Sequence, residues 1–407
     1  MRSLVIRPLL LLLTTAAGLA RAQAPLVITN ANLVDGIRGA FASNATVIVE
    51  NGRIVRIATG PVSPPAGAQV VDARGRYLLP GLIDVHTHVA SLAAAKRALE
   101  SGVTTIRSAS VSAYQDVALR EASRRGTIAG PDVVAAGVFV TPNLGETILA
   151  DTSLPALAGG VTTEAALRAL VRVNARRGVN AIKTRGTERA GLPDTDPRKQ
   201  TYTEQQLTWI VDEATKHGLP VMAHAHGDEG AYAAVKAGVR SIEHGTYLSD
   251  STLRLMKERG TWLVPTWITI LDLATPGGDY DDPVLTLRGR NMTPIVAAAV
   301  RKAHQMGVKL ATGADTDYGN SSVNRIYAEV ALFVEAGLTP LEALRTATTS
   351  AAELLQLGDR VGQLKEGYEA DLILVEGNPL SDIKALSDVL VVISNGRVGM
   401  NRTPFGK

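Results

Sequence analysis

The sequence has no cysteine among its 407 residues. That excludes disulfide staples, thiol nucleophiles, thiolate zinc ligands and a lipid-acylated cysteine anchor. A chain of this length does not need staples, because it buries enough apolar surface for one large domain and a satellite. Aromatic residues make up only 4% of it, too few for a nucleic-acid stacking surface or a sugar groove lined with rings. Nor is there a surplus of one charge. The formal net charge is +3, from 42 Lys+Arg against 39 Asp+Glu. Residues 1–22 hold Arg2, Arg7 and Arg21 and no acid, so the remaining 39 cations balance the 39 acids. A basic patch for nucleic acid or an anionic membrane is therefore not expected.

The apolar run Leu9 to Leu13 follows Arg2 and Arg7, and the small residues after it end at Ala20-Arg21-Ala22. It is too short to span a bilayer. The pattern reads as a secretory signal peptide over residues 1–22 with a small-x-small cleavage site, the mature chain beginning at Gln23. The expected location is secreted or periplasmic, with no stable membrane anchor.

Residues 23–78 read as short strands, with β-rich runs at Leu26 to Thr29, Ala45 to Glu50 and Ile54 to Ala58. Asn51-Gly52, Pro61 and Pro64-Pro65 interrupt them. Residues 360–407 read the same way, with strands at Asp371 to Glu376 and Val389 to Ser394 and a hairpin signal at Asn395-Gly396. Both termini are expected to meet in one small β-sandwich domain. Between them, residues 79–359 alternate helix and strand. A glycine repeatedly ends a helix-like segment before an apolar run, at Gly102-Val103, Gly178-Val179, Gly218-Leu219, Gly238-Val239 and Gly307-Val308. This alternation implies the α/β class and a parallel sheet. About 280 residues suit a (β/α)8 TIM-like barrel. An open doubly wound sheet is the alternative, but no Gly-x-Gly-x-x-Gly supports it. Segment 272–292, with Pro276-Gly277-Gly278 and Asp281-Asp282-Pro283, reads as a flexible loop after strand 7 and a candidate lid.

Five of the seven histidines close apolar runs. In Asp84-Val85-His86-Thr87-His88 the two imidazoles are two residues apart, so a strand points them the same way. Lys183 ends Asn180-Ala181-Ile182-Lys183. A charged amine there is costly if buried, unless it snorkels to the surface. If its amine takes up carbon dioxide it becomes a carbamate, an anionic oxygen ligand. His224 and His226 end Val221 to His226, His244 ends Ser241 to His244, and Asp315 ends Leu310 to Asp315. Taken singly, each is more often an ordinary core or surface residue. Taken together, ligand-type side chains at successive strand ends converge on the mouth of a barrel, where a metal site needs them.

This order, His-x-His, Lys, His, His and Asp, resembles the amidohydrolase superfamily. The tail is similar to that family too, through Gly337-Leu338-Thr339-Pro340, Ala347-Thr348, Ala351 to Leu355 and Gly377-Asn378-Pro379-Leu380. His224-Ala225-His226-Gly227 and Ile242-Glu243-His244-Gly245-Thr246 look most like the imidazolonepropionase-related group, which contains Xaa-Pro dipeptidases, carboxypeptidases and ochratoxin-hydrolysing amidohydrolases. The resemblance implies two divalent metal ions. His86, His88 and Asp315 would hold the more buried one and His224 and His244 the more exposed one, with a carboxylated Lys183 bridging both. Histidine, carboxylate and carbamate donors suit zinc, with manganese or cobalt as alternatives. It also implies a homo-oligomer and a small-molecule amide or dipeptide substrate, cleaved at its amide bond. The chain departs from the group at Arg107-Ser108, where relatives carry an acid. It departs again at Phe139 to Leu144, where many relatives show Gly-Gly-His.

On this reading Asp315 carries the proton from water to the leaving nitrogen. His226 either stabilises the oxyanion and holds substrate, or orients a ligand. A substrate carboxylate would need a cationic clamp, and the candidates are Arg185, Arg189, Arg107 and Arg325. Surface ion pairing is the ordinary alternative for each. The competing readings are a mononuclear deaminase or cyclic-amide hydrolase on the same fold, and a non-catalytic periplasmic binding protein. Lactone or phosphotriester hydrolysis remains open as a side activity.

Overall fold

The computed structural model describes residues 23–322 and 325–403. The expected signal peptide, residues 1–22, lies outside them. Five N-terminal strands come first: β1 (Leu26–Asp35), β2 (Gly39–Glu50), β3 (Arg53–Thr59), β4 (Gln69–Asp72) and β5 (Tyr77–Pro80). Seven short strands come next, separated by helices: β6 (Leu82–Thr87), β7 (Val103–Ser108), β8 (Asp132–Val134), β9 (Ile182–Arg185), β10 (Val221–Ala225), β11 (Ser241–His244) and β12 (Trp262–Val264). The chain closes with β13 (Leu372–Val375), β14 (Val389–Ser394) and β15 (Arg397–Asn401).

The two ends of the chain share one sheet, in the order β15-β14-β13-β5-β1-β2-β3, with β4 paired to β1. The β2–β3 and β14–β15 turns are Asn-Gly pairs. Both central residues have positive φ, 50° and 77° at Asn51-Gly52 and 51° and 72° at Asn395-Gly396. That geometry matches the twist of the strands it joins and is open to few other residue pairs. Alternate apolar side chains of the sheet, among them Ile28, Leu33, Val47, Ile54, Leu374 and Val391, form a core of their own. The sheet is joined to the parallel strands through β5, because only Gly81 separates it from β6. Gly81 N–H donates to the Asp371 carbonyl.

β6, β7 and β8 form one parallel sheet, and β9 to β12 form another. Three bridges join them: Val140 with Thr184, Leu263 with Leu310, and Thr87 with Thr316. Val140 N–H donates to Lys183 O at 2.9 Å, Ala311 N–H to Leu263 O at 3.1 Å and Val85 N–H to Thr312 O at 3.1 Å. Each parallel segment from β6 to residues 309–316 is thus bonded to the next, and the last returns to β6. β6, β7, β10, β11 and β12 are buried along their whole length, which is why they read as apolar runs without alternation. The five glycines that end helix-like segments before a strand all have positive φ, between 67° and 97°, as helix-terminating glycines do.

The segment expected to be a long flexible loop is shorter than 272–292. A helix ends at Asp272, and the next one, Pro283–Met306, begins nine residues before the expected end. The cause is local. The Asp282 carboxylate accepts from the N–H groups of Val284 and Leu285, and Pro283 occupies the first turn, where its missing N–H costs nothing. The loop is therefore 273–282. Arg288, one turn into this helix, donates to the carbonyls of Ala190 (2.5 Å), Leu192 (2.6 Å), Pro193 (3.1 Å) and Thr195 (2.5 Å). It pins the segment after β9 against the helix. Arg288→Ala should cost about 2 kcal/mol and speed amide hydrogen exchange in residues 187–199 well above the rest of the chain. Unchanged exchange there, measured by mass spectrometry, would show that Arg288 does not hold the segment.

Candidate active site

The structure brings His86, His88, Lys183, His224, His226, His244 and Asp315 to the same end of the parallel segments. His86 is 1% exposed on β6. Its Nδ1 lies 2.6 Å from Glu243 Oε2, and its Nε2 lies 3.3 Å from Asp315 Oδ1 and 3.3 Å from Lys183 Nζ. His88 Nε2 meets the same Asp315 oxygen at 3.1 Å, while its Nδ1 faces Ser110 O at 2.9 Å. His224 lies in the last part of β10, His226 directly follows that strand and His244 ends β11, with rings 4.4 to 5.0 Å apart. His224 Nε2 faces Glu188 O at 3.0 Å, His226 Nδ1 faces Thr246 Oγ1 at 2.9 Å and His244 Nδ1 faces Thr266 Oγ1 at 2.7 Å.

Each of the five imidazoles therefore has one nitrogen held by a partner outside the cluster. The other nitrogen is left for the cluster, an arrangement that fixes ring orientation in metal sites. One ligand atom from each of His86, His244 and Asp315 lies within 4.8 Å of the other two, and the same holds for His224, His226 and His244. Burial, with the neighbouring imidazoles second, holds His224 and His244 well below their ordinary pKa, and burial, against the pull of Asp315, holds His226 down at about 3. These rings are neutral and have lone pairs to give. Burial works against the Asp315 carboxylate, but His86 and His88 beside it hold it well below the usual range. Burial also draws Lys183 down to about 8, against the pull of Glu243 and Asp315. Neutral imidazoles, an ionised carboxylate and a buried amine fit divalent cations.

The local backbone explains how these side chains converge. His244 has φ 78° and Asp315 has φ 47°, a region that residues with a Cβ rarely adopt. Glu243 points into the ring. A regular strand would turn His244 away from it, and the left-handed turn brings the imidazole back over the mouth. Asp315 N–H donates to His86 O at 2.8 Å. Gly313 lets this segment approach, since a Cβ there would lie 2.6 Å from the Cβ of His86.

The four candidate arginines separate. Arg185 lies at the end of β9, two residues beyond Lys183 and 4.7 Å from the Phe139 ring. Its Nε is buried with no hydrogen-bond partner, and burial lowers its pKa to about 10. Arg189 is exposed on the following segment. Arg325 donates to Ser322 O at 2.9 Å and lies over the Tyr318 ring. Arg107 must be corrected. It is buried inside the ring and donates to Val85 O (2.6 Å), Ser241 Oγ (3.1 Å) and Glu243 Oε1 (2.8 Å), so it cannot reach a substrate at the mouth. A fully buried carboxylate needs a cation, and Arg107 is that cation.

Two positioning groups carry no signal strong enough to single them out in the sequence. Glu243 is completely buried. Burial works against its charge, but Arg107 and then His86 hold it down at about 2. Asp84 accepts from His86 N–H and Ala314 N–H at 3.1 Å each and from Tyr318 Oη at 2.9 Å. The only hint is an acid beside a histidine inside an apolar run, in Ile242-Glu243-His244 and again in Asp84-Val85-His86.

The chain is similar to known proteins. The chain is 28% identical to an ochratoxinase of Aspergillus niger over 415 residues, covering 90% of this chain and 84% of the relative. It is 25% identical to an imidazolonepropionase of Geobacillus sp. (strain WCH70), covering 98% of each. Among solved structures, a Xaa-Pro dipeptidase with bound methionine in its active site superposes with a TM-score of 0.82 at 28% identity, over 92% of this chain and 99% of that one. These relatives support hydrolysis of an amide or peptide bond. The model of the amidohydrolase family matches residues 77–399, and the chain belongs to that family.

Proposed function

We propose that this chain is a binuclear, metal-dependent amide hydrolase. It releases a C-terminal amino acid from an N-acyl amino acid, a dipeptide or an ochratoxin-like amide. The observation that carries this reading is five imidazoles, each with one nitrogen held from outside, in two groups that share His244, one of them with Asp315 and, through His86, with Lys183. The ring of parallel segments is the (β/α)8 barrel over 79–359, and the shared sheet of 23–78 and 360–407 is the β-sandwich domain. His86, His88 and Asp315 would hold one ion and His224 and His244 the other. Lys183, if its Nζ takes up carbon dioxide with loss of a proton, would supply a carbamate as a shared ligand. Bound zinc ions supply Lewis acidity toward water and the scissile carbonyl.

The chain's own groups do the rest. Asp315 is held ionised, so it can take a proton from the attacking water and deliver it to the leaving nitrogen. Neutral His226, with Thr246 Oγ1 donating to its Nδ1, carries its proton on Nε2 and donates to the developing oxyanion. Arg185 has a bare Nε for a substrate carboxylate. The protein acts outside the cytoplasm as a homo-oligomer. A second reading of His226 rests on its grouping with His224 and His244, which would make it a metal ligand.

Three measurements test this. The purified protein should contain about two zinc ions per chain, and Lys183→Ala no more than about one, with amide cleavage down by at least ~100-fold. The substrate panel is N-acyl amino acids, Xaa-Pro and other dipeptides, and ochratoxin A. Equal metal and activity in Lys183→Ala would move the mononuclear, deaminase-type reading to first place. His226→Asn should keep both metals and lower kcat by roughly 100-fold, whereas loss of one metal would make His226 a ligand. Glu243→Gln should weaken metal affinity by about 10- to 100-fold, read by competition with a chelator. Unchanged affinity would mean that Glu243 serves the fold alone.

A further inference from the structure

At the opposite end of the parallel segments, Asp132 opens β8, and Glu369 and Asp371 precede β13. One oxygen from each carboxylate lies within 4.8 Å of the other two. Oxygens bound to a single cation at 2.3–2.6 Å are at most about 5 Å apart, so the spacing admits a shared ion. Close acids alone would not indicate a ligand. What does is the way their donors are distributed. Every contact to Glu369 goes to Oε1: Arg360 Nη2 at 2.7 Å, Arg360 Nε at 2.9 Å and Arg53 Nη2 at 3.4 Å. Asp371 accepts the Asn395 N–H at Oδ1, at 2.8 Å, and Asp132 accepts the Asn395 side-chain amide at Oδ1, at 3.2 Å. Glu369 Oε2 and Asp371 Oδ2 are buried and receive no hydrogen bond. Their residues are only 8% and 4% exposed.

Two bare oxygens on neighbouring buried carboxylates are a costly arrangement, and native structures rarely leave such groups unsatisfied. Three carboxylates face Arg360 and an Arg53 whose side chain is half exposed. A cavity of about 210 Å³ adjoins the cluster and has room for water; Asp132, Glu369 and Arg360 line it together with Arg124, Arg240 and Arg107, of which Arg107 is bonded to Glu243 and Arg240 to the Leu354 carbonyl. We propose that Asp132, Glu369 and Asp371 bind one divalent cation of the calcium class, with cavity waters completing its shell. An all-oxygen donor set selects a hard cation over zinc. The ion would tie the first strand residue of β8, in the ring, to the segment entering β13 and, through Asn395, to the β14–β15 hairpin. It would fasten the two sheets together at the end of the parallel segments opposite the histidines.

The test uses the full protein with zinc already in its histidine site. Calcium is the probe, in equilibrium dialysis and thermal unfolding. One calcium per chain with a dissociation constant in the millimolar range or tighter is expected, with Tm raised by calcium. In Asp132→Asn and in Glu369→Gln the affinity falls at least about tenfold and the rise in Tm shrinks, while zinc content stays the same. Asp132 is half-buried at a strand end, so its variant keeps the test informative if Glu369→Gln misfolds. No calcium retained at about 10 mM would overturn the proposal and leave a proton shared among the carboxylates as the account of the bare oxygens. Equal binding by the parent and both variants would overturn it as well.

Discussion

One buried carboxylate governs the geometry of the histidine site. Glu243 has no exposed surface, so only protein groups can solvate its charge. Arg107 from β7, His86 from β6 and Ser241 from its own strand do so. Removing one member of such a set leaves the others uncompensated, typically at a cost of about 3–5 kcal/mol. The set fixes three strands relative to one another. It also fixes a tautomer. With the Nδ1 proton directed to Glu243, the Nε2 lone pair of His86 points toward Asp315 and Lys183. The deepest part of the site is thus oriented from below, by a polar network inside a ring that is otherwise apolar.

The backbone supplies what this network cannot. His244, Thr266 and Asp315 all have positive φ at the ends of parallel segments. Strain of this kind costs about 1–3 kcal/mol at each residue and persists where surrounding structure over-determines it. Here the supports are visible. Thr266 holds the His244 ring through Oγ1, and His86 O accepts from Asp315 N–H. Each strained residue either gives a side chain to the cluster or holds one that does.

Much of this is legible in the sequence, for a definable reason. His86 and His88, Lys183, His224, His244 and Asp315 stand out because each is a polar residue ending an apolar run, and a parallel strand buried on both faces makes that contrast sharp. The meeting of the two termini is legible in the strand-type runs and Asn-Gly turns at both ends. The direction of long side chains is not. Arg107 reads as one of four candidate cations for a substrate carboxylate, with surface ion pairing as the ordinary alternative. Nothing in a linear pattern says that Glu243, over a hundred residues later, will draw it inward. The early start of the helix Pro283–Met306 is a different case. Asp282-Pro283 is an ordinary helix-start signal, but the acids and glycines just before it outweigh it in a linear reading.

The departure at Phe139 to Leu144 is tied to the same physical logic. Here the chain places the Phe139 ring 4.7 Å from the Arg185 guanidinium. A flat cation over an aromatic face is held in orientation without using up its N–H groups. Arg185 keeps a buried Nε without a partner, whereas Arg107 is committed to Glu243 and the carbonyl of Val85. A lysine at 185 would keep the charge but lose both the stacking and the planar fork. The identities at 139 and 185 are therefore linked: the ring orients the guanidinium, and the guanidinium gives the mouth a fixed cation close to Lys183.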